Sequence, residues 1–333
     1  MDNYSEELAA KLREAAQRGG GEVVIPAGTY LIGPDAIEEN ITGVHLRGEG
    51  KGATTLICDA PMTTRRSLLT LHGNNWSVSG LTIDCGDFQP LGGRSGGGIG
   101  GSGNNWAVHD VEIKRIWWAG MVFSDAKDFR IENCFISLTE PRPDFNAGVL
   151  LHESNGPVRG GIIKANRLIN TTLVLGGNYH WIIGNVCRGF KFGSGVFTTY
   201  GSAGMRIESN DLSHGTGLDE NHTWCLGIEC WSRNSLLAHN QCYNNDGAGI
   251  NTGAPNCVVI GNICFGNARN GIGARNEGMQ GEFKQSADYN LFIGNQSFNN
   301  GWYGYAEQSA GLIGIVHGAN CYRPNGRGEK LVY

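Results

Sequence analysis

One phrase recurs along the second half of the chain: an apolar residue, two residues, Asn, one residue, then a small or apolar residue. It reads Ile163-Asn166-Leu168, Ile182-Asn185-Cys187, Ile207-Asn210-Leu212, Leu237-Asn240-Cys242, Val259-Asn262-Cys264 and Phe292-Asn295-Ser297. Earlier segments keep the spacing without Asn, as in Val78-Leu81-Ile83, Val108-Val111-Ile113 and Ile131-Cys134-Ile136. A second phrase, Gly and then an apolar residue, follows many of these: Gly195-Val196, Gly227-Ile228, Gly249-Ile250, Gly271-Ile272. A fixed internal period decides architecture before any local propensity does. Short repeats that cannot bury their apolar residues alone must stack and bury them together. Stacked coils pair their strands in parallel, about 4.8 Å apart, so equivalent residues lie above one another. An inward Asn in each coil is then expected to form a ladder of amides.

Composition agrees. Gly supplies 53 of 333 residues and Pro only 9, which suits many tight turns and argues against disorder. Charged residues are 17%, below the usual ~25%. A net charge of -5 gives no footprint for nucleic acid. No apolar run reaches the ~18 residues of a membrane span, and the opening residues do not read as a signal peptide. None of the ten cysteines is spaced C-x-x-C, so a structural zinc site is not expected. Cys187, Cys242 and Cys264 occupy the same place in the repeat and read as buried thiols, which favours a cytoplasmic or phage-borne location.

The N-terminus differs. Residues 5–16 are helix-forming, with apolar positions 8, 12 and 15, Ser5 as expected N-cap, and Gly19-Gly20-Gly21 as the stop. Such a helix would cover the open end of a stack. We therefore expect one domain, 1–333: a capping helix in 1–20, coils over 22–320, and a tail at 321–333.

A short helix, then GGGEVVIPAGTYLIG, then coils of IxxN and GI resembles the all-β, right-handed parallel β-helix proteins of the pectate-lyase-like superfamily. The resemblance covers nearly the whole chain. It implies a poly- or oligosaccharide partner, and it spans hydrolases, lyases, epimerases, transferases and phage tailspikes; fold alone does not choose among them. The subfamily signatures of polygalacturonases (N-T-D, D-D, G-H-G, R-I-K) and the D-P-H run of uronate epimerases are absent. No acidic trio suited to calcium accompanies Arg188 or Arg275, so neither metal nor cofactor is expected.

Strand alternation sets the candidate site. If Ile228 and Cys230 point inward, Glu229 and Trp231 point outward, joined on the same face by His152, Phe197, Thr199, Asn251 and Arg275. An exposed indole beside a carboxylate is a common way to hold a sugar. The long connection 213–224 leaves the stack and returns just before Glu229, carrying Asp219, Glu220 and His222. Glycoside cleavage needs two carboxyl groups. Glu229 with Asp219 or Glu220 is the expected pair, and His222 would orient one of them or shuttle a proton. A hydrolase or transglycosidase is thus the leading expectation. A metal-free lyase using Arg188 or Lys191 as base is the second. A non-catalytic glycan-binding or tail-like protein, expected as a trimer, is the third. The Gly-rich 92–103 segment lacks a Gly-Lys-Ser/Thr ending and is expected as a flexible turn rather than a phosphate loop. Adjacent Trp117 and Trp118, if on a strand, would put one indole outward as a sugar platform or subunit contact.

Overall fold

The computed structural model describes residues 3–33, 37–58, 67–86, 97–139, 147–191, 193–217, 225–275 and 286–332. The fold is a right-handed parallel β-helix with one short helix at its start. Its strands fall into three parallel sheets of 12, 11 and 12 strands; each coil contributes one strand to each, except that the last described coil adds none to the 11-stranded sheet. The chain divides into two compact units, one ending at Leu168 and the other beginning at Ile169 apart from 141–145.

In the first unit, helix Ser5–Gln17 buries Leu8, Ala9, Leu12 and Ala15 against strands Gly21–Ile25, Ile37–Asn40 and Val44–Gly48. Ser5 is not the N-cap. The helix starts on it, and its hydroxyl instead accepts from the Gly33 amide at 2.9 Å, tying helix to strand. Gly20 must be Gly: its φ is +114°, and a Cβ would fall 2.4 Å from the Gly43 carbonyl oxygen. The lumen of this unit holds a stack of rings, Trp76 on Trp106 at 4.9 Å and Trp106 on Phe129 at 4.7 Å, all buried. The Gly-rich segment is not a turn over its described part. Gly97–Asn104 is a strand between Leu69–His72 and Ala119–Lys127. Its glycines let neighbouring backbones approach: a Cβ on Gly101 would lie 1.7 Å from the Leu71 carbonyl oxygen. Trp117 and Trp118 fall in the bend before strand Ala119–Lys127, both half-buried, so strand alternation does not govern them.

The second unit repeats most regularly. The phrase Val259-Asn262-Cys264 decomposes into strand Val258–Ile260, a corner at Gly261 and Asn262, and strand Ile263–Phe265. Val259 and Cys264 are fully buried, and each stands in register with its counterpart one coil away, Leu237 and Cys242. Gly261 turns the corner at φ +63°, a conformation costly for most residues. Asn262 then bridges coils. Its Oδ1 accepts from the Asn240 amide (2.9 Å) and Asn240 Nδ2 (3.0 Å), while its Nδ2 donates to Leu237 O (2.9 Å) and Asn295 Oδ1 (3.0 Å). The same bonds link Asn185 to Asn210, Asn210 to Asn240, and Asn295 to Asn320.

A second ladder stands at the next corner, through Asn245, Asn267, Asn300 and Asn325. Each member follows the first ladder's Asn by five residues, with a three-residue strand between the two corners in every case but Asn320 and Asn325. On the outer side of that strand Tyr243, Phe265 and Phe298 stack with nearly parallel rings, 4.8 and 5.4 Å apart. All ten cysteines are free thiols, eight of them buried. Among the described residues no helix is long and apolar enough to cross a membrane.

Burial also leaves a pH dependence. His180 is fully buried and hydrogen-bonds the Gly176 carbonyl oxygen at 3.1 Å; desolvation pushes its imidazole down to about 4, against the carbonyl's opposing pull. His317, half-buried, is pushed down to about 4 by burial and by Lys330. The unfolded chain, with His near ~6.5, binds more protons than the folded one between these values. Stability is therefore full above about pH 6.5 and falls as pH drops toward 4. Urea midpoints measured across this window should decline, and His180→Leu should flatten the decline; equal slopes in both proteins would contradict the assignment.

Candidate functional site

Strands Val196–Thr198, Ile228–Cys230, Ile250–Thr252 and Ile272–Ala274 lie side by side in the second unit. Their outer residues, Val196, Ile228, Ile250, Ile272 and Thr198, Cys230, Thr252, Ala274, are all fully buried in the lumen. Alternation sends the central residues Phe197, Glu229, Asn251 and Gly273 to the other face. Glu229 thus stands outside the lumen, as expected, with 16% of its side chain accessible.

Ser194, Trp231 and Arg275 hold it among the described residues. Ser194 Oγ donates to Oε2 at 2.9 Å, and Trp231 Nε1 and Arg275 Nη2 each donate to Oε1 at 3.1 Å. The Arg275 guanidinium also lies 5.1 Å from the centre of the Trp231 ring. With a largely covered ion pair and charge-assisted bonds, the carboxylate has one orientation rather than several. Arg275 and Glu229, 46 residues apart, meet only because two intervening coil steps bring them onto one face.

Trp231 does not offer a face to solvent. It is fully buried, which corrects the expected exposed platform. The strand ends at Cys230, so alternation no longer applies one residue on. The Trp231 amide donates to the buried Thr198 hydroxyl at 2.9 Å, and Tyr200 packs on the indole at 4.8 Å. Gly253 makes room beneath: a Cβ there would fall 1.8 Å from Cζ3. Gly253→Ala should therefore displace the indole and cost about 1–3 kcal/mol as overpacking, read as a lowered Tm together with a shifted tryptophan emission. An unchanged spectrum would show that the indole does not depend on that gap.

Asn251 is likewise buried, not exposed, at 2% accessibility, beside Gly273 and shielded with it. Thr199 pairs its hydroxyl with Ser202 at 3.1 Å and is partly covered. His152 belongs to the first unit, where its Nδ1 lies 2.6 Å from Ser154 Oγ and burial lowers its pKa. Arg188 donates to Asp211 Oδ2 at 2.6 Å and to the Tyr243 hydroxyl at 3.4 Å; the bond to Asp211 raises its pKa further. Lys191 is half-buried and forms a backbone bridge with Thr216.

Asp219, Glu220 and His222 lie outside the described residues, within 218–224. The two ends of that excursion are described. Cys225 Sγ sits 3.2 Å from the Thr216 carbonyl oxygen, so the excursion leaves and returns at one point. The returning chain touches the site directly, since Leu226 O accepts from the Gly195 amide at 2.9 Å, next to Ser194. Ser194, buried to 2%, and Tyr200 were not expected; Ser194 is the residue before the Gly195-Val196 phrase, the one signal that could have found it. Among the described residues no three His, Cys, Asp or Glu side chains cluster as metal ligands.

The chain matches no protein-family model and none of the curated proteins. Its fold is shared with solved structures at low identity. A surface adhesin of Streptococcus pneumoniae is 14% identical over 96% of this chain and 88% of its own, with a TM-score of 0.72. The Dettilon tailspike protein is 13% identical over 100% and 66%, with a TM-score of 0.72. The A-module of a mannuronan C-5 epimerase from Azotobacter vinelandii is 14% identical over 100% and 94%, with a TM-score of 0.63.

Proposed function

We propose that this chain is a carbohydrate-active enzyme that cleaves or transfers a glycosidic bond of a poly- or oligosaccharide. The observation that carries the reading is the setting of Glu229: a carboxylate on the outer wall of a coil, clamped by Ser194, Trp231 and Arg275, at the foot of a long excursion. A carboxylate stabilised by three donors suits the anionic member of a glycosidase pair, acting as nucleophile or base. The acid would come from Asp219 or Glu220, with His222 to orient it or relay its proton. The Trp231 indole serves as a donor to Glu229 in this scheme and not as a sugar platform. Sharing a fold with an epimerase of mannuronan supports a saccharide partner.

The decisive measurement is a panel of polysaccharides and oligosaccharides with product analysis. New reducing ends without near-ultraviolet absorbance support the proposal. An unsaturated, absorbing product would replace it with a lyase. In that case Arg188 would not be the base, because its bond to Asp211 holds the guanidinium protonated. Binding without turnover across the panel would favour the glycan-binding reading, which the likeness to a bacterial adhesin also supports.

A further inference from the structure

Three coil steps along the same face lies a cavity of about 280 Å³. Register runs Glu229, Asn251, Gly273, Ala306, so Ala306 stands about 14 Å from the Glu229 strand at ~4.8 Å per step. The wall is low there. Ala306 and Leu331 are register neighbours and form the floor, while Trp302, Gln308, Arg327 and Asn270 surround it. Gln308 continues the row of Arg275, its amide donating to Ala274 O, and its Nε2 occupies the space above the missing side chain of Gly273.

Among the described residues the charge around this cavity is one-sided. Two guanidinium groups, Arg269 at 4.6 Å and Arg327 at 4.3 Å, lie over the Trp302 ring. Burial and the charge of Arg327 both lower the pKa of Arg269, so the two cations are close enough to feel one another. Arg327 is exposed and makes no ion pair among the described residues. The nearest acid in sequence, Glu329, is engaged by Arg323. Glu307 is buried in the lumen row that includes Ala274, away from the cavity lining. An anion in the cavity would relieve this repulsion, and a planar guanidinium prefers a carboxylate, which it holds through two parallel bonds. Gln308 adds one donor pair and one acceptor, the complement of a sugar's hydroxyls. The volume is just under the ~300–1,000 Å³ of drug-sized sites, which suits a single ring.

We propose that this cavity is a subsite for a carboxylate-bearing sugar unit, its carboxylate on Arg327, its hydroxyls on Gln308 and its body against Trp302. The glycan processed at Glu229 is then acidic; this conclusion rests on the functional reading above. The test is calorimetric titration of the full chain with oligouronates and with the same oligosaccharides after carboxyl reduction. At least one oligouronate should bind about tenfold or more tighter than its reduced form. Arg327→Gln should erase that difference, and Gln308→Leu should weaken both forms while leaving the preference. Trp302 emission gives an independent readout of occupancy. Equal affinity for acidic and reduced forms, or undiminished preference in Arg327→Gln, overturns the subsite. The two proposals fail separately. Neutral glycan turned over at Glu229 with no role for Arg327 removes the subsite and keeps the enzyme. Acidic glycan bound through Arg327 with no turnover keeps the subsite and removes the enzyme. No glycan bound at all removes both.

Discussion

Glu229→Gln is expected to lower kcat by about 10²–10⁴-fold on whichever saccharide the panel identifies, while glycan affinity stays within a fewfold of the parent. That range is what a single acid–base or nucleophilic group usually contributes. The substitution is suited to the site. An amide keeps the shape of the carboxylate, its oxygen can still accept from Trp231 Nε1 and Arg275 Nη2, and the Ser194 hydroxyl can turn to accept from the new NH₂ group. What disappears is the negative charge. Arg275 loses its ion pair with Glu229, but with 20% of its side chain accessible it keeps contact with water and with the Trp231 ring, so folding should survive. A kcat loss with KM unchanged would mark an interaction made in the transition state. Full activity in the variant would remove Glu229 from the chemistry and leave it as an anchor for Arg275 and Trp231.

Asn262→Leu is expected to destabilise the second unit by about 3–5 kcal/mol. The side-chain amide of Asn262 makes four bonds to three residues on two neighbouring coils, and its Nδ2 also reaches Ile260 O at 3.2 Å. An apolar side chain strands the Asn240 amide in a fully buried corner, at about 1–3 kcal/mol, beyond the loss of the bonds themselves. In a solenoid each coil is stabilised chiefly by its neighbours, so the loss should concentrate in amide exchange at Asn240 and adjacent corners before spreading. Asn155→Ala is the control: its side-chain bond to Ser124 is long, 3.4 Å, at an exposed position, and the substitution should cost less than about 0.5 kcal/mol. If the two variants unfold at the same denaturant concentration, the ladder does not hold the stack.

Much of the fold was legible because a solenoid writes its architecture into a local phrase. Apolar residues three before and two after an Asn mark the two strands that flank a corner, and that pattern survives changes in coil length. The second ladder is harder to read from sequence because its flanks vary, N-N-D, G-N-A, N-N-G and P-N-G, although the step of five from the first ladder is constant. The site was less legible. Alternation placed Glu229 on the outer face and beside Arg275, since register between parallel coils is fixed. It failed at Trp231 because strands of three residues give no licence to extrapolate to a fourth. It could not see burial either: Asn251 faces outward yet is buried. Ser194 and the cavity at Trp302 and Arg327 arise from pairings tens of residues apart, and no local spacing records them.

The corner amides join coils whose sequence separations run 25, 30, 22, 33 and 25 residues from Asn185 to Asn320. The bonded geometry is the same at each step, so chain length between corners is a free variable. Excursions can lengthen, shorten or be exchanged without disturbing the frame that holds Glu229 and Arg275. A scaffold of this kind can acquire a new specificity by transplanting a surface segment alone, and the chain offers itself for such grafting at the joint between Thr216 and Cys225.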